Sequence, residues 1–164
     1  MALRVTLIQG GGVGYDQVPA VQRVLREAGA ALAWEEHPAG LAALEKGEPA
    51  FPKTMLESVR GTGLALKTKL LPAAREPQHN FNLDFRRVLG LYAAVRPLKN
   101  LRGLPARFQG VDILILRELT EDLYAAIEHE IIPGVVQSIK VVTEAACRLA
   151  RGAARRVLEG PLSR

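Results

Sequence analysis

Apolar and polar residues alternate along Leu3-Arg-Val-Thr-Leu, the two-residue period of a strand, and Gly10-Gly-Gly-Val-Gly then breaks the pattern. Val18, Val21, Val24, Leu25 and Ala28 follow at helical spacing, so the chain opens as strand, tight loop and helix. Residues 31–35 predict a second short strand, 52–59 a helix with Pro52 near its first turn, and Leu64-Ala-Leu-Lys a third strand. Such alternation implies a parallel α/β layer. A loop carrying Pro72 and Pro77 spans 70–79, followed by a short helix over 81–89 and an extended Tyr92-Ala-Ala-Val-Arg.

Val111-Asp-Ile-Leu-Ile-Leu-Arg is the most apolar strand, and an unbroken run of this kind is expected to be covered on both faces. Residues 124–132 and 135–142, separated by Pro133-Gly134, read as two extended segments of a hairpin or arm. The final helix carries a stripe of Ala146, Leu149, Ala150, Ala153, Ala154, Val157 and Leu158, with Arg148, Arg151, Arg155 and Arg156 off it. Thr143 can cap its start and Gly160-Pro161 can stop it. The alanine-rich stripe suits close packing, either inside the chain or across a subunit interface.

Composition narrows the class. The 164 residues, 48% of them hydrophobic, suffice for one compact unit or two small lobes. A single cysteine, Cys147, excludes an intramolecular disulfide framework and any multi-thiolate metal site, and is compatible with a reducing compartment. No apolar run reaches the ~20 residues that span a bilayer, and Met1-Ala-Leu-Arg-Val leads into a strand rather than a signal peptide, so no membrane partner is expected and the expected address is the cytoplasm. The formal charge of +5 comes from 22 basic and 17 acidic side chains spread along the chain. With only eight aromatic residues to stack bases, this argues against a nucleic-acid partner. Small anionic ligands remain, because a few well-placed arginines hold carboxylates.

The glycine cluster at 10–14 invites a phosphate-loop reading, but it has neither the Gly-Lys-Ser/Thr of a Walker loop nor a complete GxGxxG, and tight-turn geometry is the expectation. His37, His79 and His129 are far apart and match no metal-ligand spacing. No nucleophile elbow is present. More informative are Asn82, Arg86, Arg96, Arg117 and Tyr124. Asn82 and Arg86 are four apart, which in a helix puts amide and guanidinium on one face. Arg117 ends the apolar strand, where ligands of open α/β sheets sit. Its counter-anion is either internal, from Asp84, Glu118 or Glu121, or a ligand.

Three stretches carry a resemblance. Leu7-Ile-Gln-Gly-Gly-Gly-Val-Gly-Tyr-Asp-Gln-Val-Pro-Ala is similar to a Gly-Asp-Gly-Ile-Gly-Pro-Glu-Val opening. Asn80-Phe-Asn-Leu-Asp-Phe-Arg-Arg-Val-Leu-Gly-Leu-Tyr-Ala-Ala-Val-Arg-Pro resembles a Ser-x-Asn-x-x-Leu-Arg stretch running into Leu-Tyr-Ala-Asn-Val-Arg-Pro. Val111 to Glu130 resembles Val-Arg-Glu-Asn-Thr-Glu-Gly-x-Tyr-x-Gly-Ile-Glu-His. Together they resemble the isocitrate and 3-isopropylmalate dehydrogenases, the metal-dependent β-decarboxylating dehydrogenases, most closely the NAD type of isocitrate dehydrogenase. The resemblance implies an α/β fold equivalent to part of that family's fold, a mostly parallel sheet with flanking helices and a small dimerisation lobe. Residues 1–98 would be large-domain-like, and 99–164 would hold small-domain strands, arm and terminal helix.

By that resemblance Arg86, Arg96 and Arg117 match the arginines that hold substrate carboxylates, Asn82 a substrate amide contact, Asn80 the place of a substrate-site serine, and Tyr124 the tyrosine that protonates the enol after decarboxylation. The sequence departs from the pattern at Asn80, at Gly11 for an aspartate, at Leu119 for an asparagine, and at Leu71-Pro72 for Thr-Pro. The family's catalytic lysine, its Mg2+ or Mn2+ aspartates and its NAD(P) loop belong to a second half that these residues do not match. The chain by itself is therefore expected to bind a di- or tricarboxylate without turning it over, as a non-catalytic or regulatory subunit; the alternatives are half of a split NAD(P)-dependent decarboxylating dehydrogenase completed by a partner chain, or an interaction scaffold that uses only the inherited fold. It would take NAD(P) and Mg2+ or Mn2+ only if a partner completed it, and Tyr124 would be idle. Either self-association through 124–142 and the terminal helix, or a longer dehydrogenase paralogue, is expected to cover its open apolar surface.

Overall fold

The computed structural model describes residues 2–75 and 79–159, with the side chains of Tyr124, Ala126, Arg156 and Leu158 outside the description. Pro77 and the Gly160-Pro161 helix stop also lie outside it. The chain divides into two compact units, Met1–Phe85 and Arg86–Arg164.

The first unit is a three-stranded parallel sheet of β1 (Leu3–Gln9), β2 (Leu32–Pro38) and β3 (Ala65–Lys67), in the order β2-β1-β3. Central β1 buries Val5, Thr6, Leu7 and Ile8 consecutively, as a strand covered on both faces must. Crossover helices α1 (Gly14–Glu27), the four-residue α2 (Leu41–Leu44) and α3 (Lys53–Thr62) follow the first two strands. The sequence pattern had not marked α2, too short to show a helical period. Pro52 immediately precedes α3 and supplies the fixed φ that a helix start accepts. Phe81 and Phe85, at the head of α4 (Phe81–Val88), are buried with rings 5.8 and 6.1 Å from that of Phe51.

One polar network lies within this apolar core. Thr6 Oγ1, fully buried, is 2.7 Å from Ser58 Oγ and 2.8 Å from Thr62 Oγ1. Ser58 in turn donates to Glu35 at 2.7 Å, and Arg4 pairs with the same carboxylate at 2.5 Å. The Ser58 hydroxyl first, then Arg4, holds the Glu35 carboxyl below the usual carboxylate range. The network ties α3 to β1 and β2 and satisfies a hydroxyl that burial would otherwise strand.

The second unit contains two antiparallel hairpins and a helix. β4 (Ala93–Lys99) pairs with β5 (Asp112–Glu118), β6 (Asp122–Ile132) with β7 (Val135–Val141) through the expected Pro133-Gly134 turn, and α5 (Glu144–Glu159) packs on β5 and β4. The division between the two units falls within α4, and β4 takes its ladder partner from β5. Thr143 caps α5 as its residue type suggested, accepting from the Ala146 N–H at 3.2 Å. The alanine stripe is used internally at Ala146 and Ala153, which are buried, while Leu149 is left exposed.

The expectation that the most apolar strand is covered on both faces is corrected. β5 has one ladder neighbour, antiparallel β4, and Ile113, Leu114 and Ile115 remain 52%, 37% and 42% exposed. An apolar run is buried only when layers exist to cover it, and here the helix that packs on the sheet, α5, leaves these side chains partly exposed.

Candidate functional site

The glycine loop owes its composition to packing. A Cβ on Gly10 would stand 2.1 Å from the Lys69 carbonyl oxygen, and one on Gly14 2.7 Å from Thr68 Oγ1. Thr68 Oγ1 accepts from the Gly10 N–H at 2.8 Å, so the 68–71 strand exit is laid directly on the loop. This is the tight-turn geometry expected, with φ of +92° and +57° at Gly11 and Gly12.

Asn82 is engaged with the same strand exit. Its Oδ1 accepts from Lys67 Nζ at 2.9 Å and from the Leu70 N–H at 3.2 Å, and its Nδ2 donates to the Leu70 carbonyl at 3.0 Å. Lys67, which sequence reasoning did not single out, is thereby held in place; its one signal was a cation ending an apolar strand. Asn80 Oδ1 accepts from the Leu83 N–H at 3.3 Å and caps α4. Both asparagines therefore organise the backbone that precedes the arginines.

Arg86 is half-buried on the last turns of α4, one turn before β4. Arg96 and Arg117, both exposed, are brought together by strand register. Arg96 pairs with Ile115 and Ala94 with Arg117, so the two arginines occupy one face of the β4–β5 ladder as diagonal neighbours. Diagonal positions of this kind lie about 7–8 Å apart, within reach of two carboxylates of one small molecule. Among the described residues neither the Arg86 nor the Arg96 side chain has a hydrogen bond or ion pair. Tyr124 lies on β6 and its side chain is outside the described residues.

The carboxylates named as internal counter-anions each also accept from a local donor. Asp84 accepts from His79 at 2.6 Å. Glu121 accepts from the Thr143 N–H at 2.6 Å and hydroxyl at 2.5 Å. Glu118, next to Arg117, accepts from the Thr120 N–H at 2.7 Å, from the Thr120 hydroxyl, and from the Glu121 N–H at 3.0 Å. Partial burial pushes the Glu118 carboxyl up, and these donors outweigh it to hold the group below the usual range. The Arg-Glu-Leu-Thr-Glu turn is thus built by its own side chains.

Among the described residues no three His, Cys, Asp or Glu side chains gather as a metal-ligand set. A Cβ on Gly12 would likewise stand 2.5 Å from the Leu71 side chain, so residues 68–71 pack closely on the loop glycines.

A three-stranded parallel α/β unit, followed along the chain by two antiparallel hairpins and a helix, defines a mixed α/β protein. The isocitrate/isopropylmalate dehydrogenase family model matches residues 4–161, and the chain belongs to that family. It is 38% identical over 147 residues to a probable NAD isocitrate dehydrogenase subunit alpha, mitochondrial, of Caenorhabditis elegans, covering 88% of this chain and 40% of that one. A regulatory subunit 1 of NAD isocitrate dehydrogenase, mitochondrial, from Arabidopsis thaliana is 37% identical over 141 residues, covering 85% and 37%. The crystal structure of isocitrate dehydrogenase from Methylococcus capsulatus superposes with a TM-score of 0.80 at 32% identity, covering 97% of this chain and 48% of that one. The fold expectation is met, and the chain spans about two fifths of the length of the curated relatives it matches. No helix among the described residues is long and apolar enough to cross a membrane.

Proposed function

We propose that these residues form a polycarboxylate-binding module that is not catalytic by itself and acts as a regulatory or accessory subunit. The observation that carries this reading is the register that sets Arg96 and Arg117 on one face of the β4–β5 ladder. Two rigid forks at that spacing suit a di- or tricarboxylate, each charge-assisted contact contributing about 1.5–3 kcal/mol when shielded from water. Arg86 is the third candidate donor. Titration calorimetry with isocitrate, citrate and isopropylmalate tests it: saturable heat with at least one acid, lost in Arg96→Ala and in Arg117→Ala, is expected. Absence of heat with all three acids, or undiminished binding by both variants, overturns the reading.

A second reading rests on the uncovered faces of β5 and on the chain's share of its relatives' length. Here the module is one part of a decarboxylating dehydrogenase completed by another polypeptide, which would bring NAD(P) and the metal site, with Tyr124 in the proton-transfer role. NAD(P)H formation from isocitrate or isopropylmalate on mixing with a longer family member would favour it.

A further inference from the structure

The connection between β4 and β5, residues 100–111, has a chemistry that carboxylate binding does not use. Every residue from 101 to 110 is exposed, with Leu101, Leu104 and Phe108 at 69%, 63% and 67%. A Cβ on Gly103 or Gly110 would meet no atom within 4 Å, so the tip is a convex end rather than a groove. Its charge is all of one sign. Arg102 and Arg107 stand among the apolar residues, and no carboxylate occurs from 100 to 111. At the base Lys99 and Asp112 neutralise each other at 2.9 Å, whereas among the described residues no carboxylate pairs with either tip arginine.

The tip is preformed. Asn100 closes its base, donating from Nδ2 to the Phe108 carbonyl at 2.9 Å and accepting from the Val111 N–H at 2.6 Å. The Leu104 N–H donates to the Leu101 carbonyl at 3.3 Å, and Gln109 Nε2 to the Ala106 carbonyl at 3.0 Å. Arg107 lies 5.4 Å from the Phe108 ring centroid, so cation and aromatic ring share one surface. Little ordering entropy remains to be lost on docking.

We propose that the β4–β5 tip docks on an anionic lipid surface, with Leu101, Leu104 and Phe108 entering the boundary of headgroups and acyl chains and Arg102 and Arg107 held among the headgroups. An exposed apolar patch marks an interaction surface, and unbalanced cations around it select an anionic one. The convex shape favours a bilayer over an acidic polypeptide, because it offers no groove in which the side chains of a peptide could seat, whereas a lipid interface accepts a wedge. The arginine stems can lie along apolar surface while their heads reach back to the phosphates. Each cation close to an anionic leaflet contributes about fivefold in affinity, so the apolar residues and the two arginines act together. Such contact requires no spanning segment, and it revises the expectation of no membrane partner, which rested on spanning length alone.

The test is co-sedimentation of the full chain with vesicles at low salt. Wild type binds vesicles of equal parts phosphatidylserine and phosphatidylcholine about tenfold or more tightly than vesicles of phosphatidylcholine alone, and added salt narrows the difference. Arg102→Glu with Arg107→Glu, and separately Leu104→Ser with Phe108→Ser, each weaken binding to the mixed vesicles by about tenfold or more. Arg23→Glu with Arg151→Glu, the same change of charge at exposed positions of α1 and α5, stays within about twofold of wild type. Circular dichroism matching wild type verifies that each variant folds. A Phe108→Trp chain reports depth, its emission shifting to the blue on binding beyond any change that Trp34 shows in wild type. Absence of binding to the mixed vesicles, a tip variant that binds as wild type does, equal weakening by the α1 and α5 pair, or an unshifted emission overturns the proposal. So does tip-dependent capture of polyglutamate without capture of vesicles, the signature of an acidic polypeptide partner. Because the arginines tested are not those assigned to carboxylate binding, failure here leaves the calorimetric reading standing, and the reverse.

Discussion

Residues 1–85 and 86–164 have similar lengths and use the same apolar vocabulary, yet they bury it very differently. Eleven of the fourteen buried apolar side chains among the described residues belong to the first unit, and nineteen of the twenty-seven large hydrophobics left exposed belong to the second. β1 and β5 make the contrast sharp. β1 has a parallel neighbour on each edge, and Ile8 is fully buried. β5 is equally rich in isoleucine and leucine, but it has a single neighbour strand, and its side chains stay in water. Hydrophobic content sets what a strand can contribute, whereas the number of layers around it sets what it does contribute.

Substitutions can break or sharpen this contrast. The largest effect is expected from Ile8→Ala, which empties a fully buried site and should cost about 2–5 kcal/mol. Trp34, the sole tryptophan and part of the first unit, reports that loss as a lower fluorescence midpoint in urea. An unchanged midpoint would mean that the first unit's core does not hold it together.

Acid provides a smaller, signed effect. The Glu35 carboxyl is held below its ordinary value of 4.5, so its stabilisation is present above that value and is lost as pH falls through the depressed folded value. Wild type should lose stability in this acid window more steeply than Glu35→Gln, with Trp34 emission following both titrations. Identical acid limbs would show that the Arg4–Glu35–Ser58 link does not act in stability.

The smallest effect is expected at Ile113→Thr in the second unit, within about 0.5 kcal/mol, because its side chain already faces solvent. Binding of an apolar dye should fall, while the Trp34 midpoint stays where it was. A large loss of stability would place Ile113 in a core that the described residues do not contain.

Much of the local structure was legible in the sequence. The period-two opening became β1, Pro133-Gly134 became the β6–β7 turn, and Thr143 capped α5 as its hydroxyl and position suggested. These features depend on neighbours within a few residues, where backbone sterics and short-range hydrogen bonds decide the outcome. Three further matters were less legible. The apolar run of β5 suggested double coverage because composition cannot count the layers available to it. The four-residue spacing of Asn82 and Arg86 suggested a shared donor patch, but the Asn82 amide is taken up by Lys67 and Leu70 across the strand exit. The carboxylates suggested as counter-anions for Arg117 also accept from His79, Thr120, Glu121 and Thr143, roles set by turns and caps that residue type alone does not reveal.

By itself the sequence determined family membership, the longer elements and the residue types at the candidate site, since all of these are written in local pattern and motif. Tertiary structure alone decided that Arg96 and Arg117 share a face, because their pairing arises from the register of two strands separated by a twelve-residue loop. A slip of one residue in that ladder would place the two guanidinium groups on opposite faces. Side-chain alternation with a period of two makes the site a property of the ladder, which neither strand contains alone.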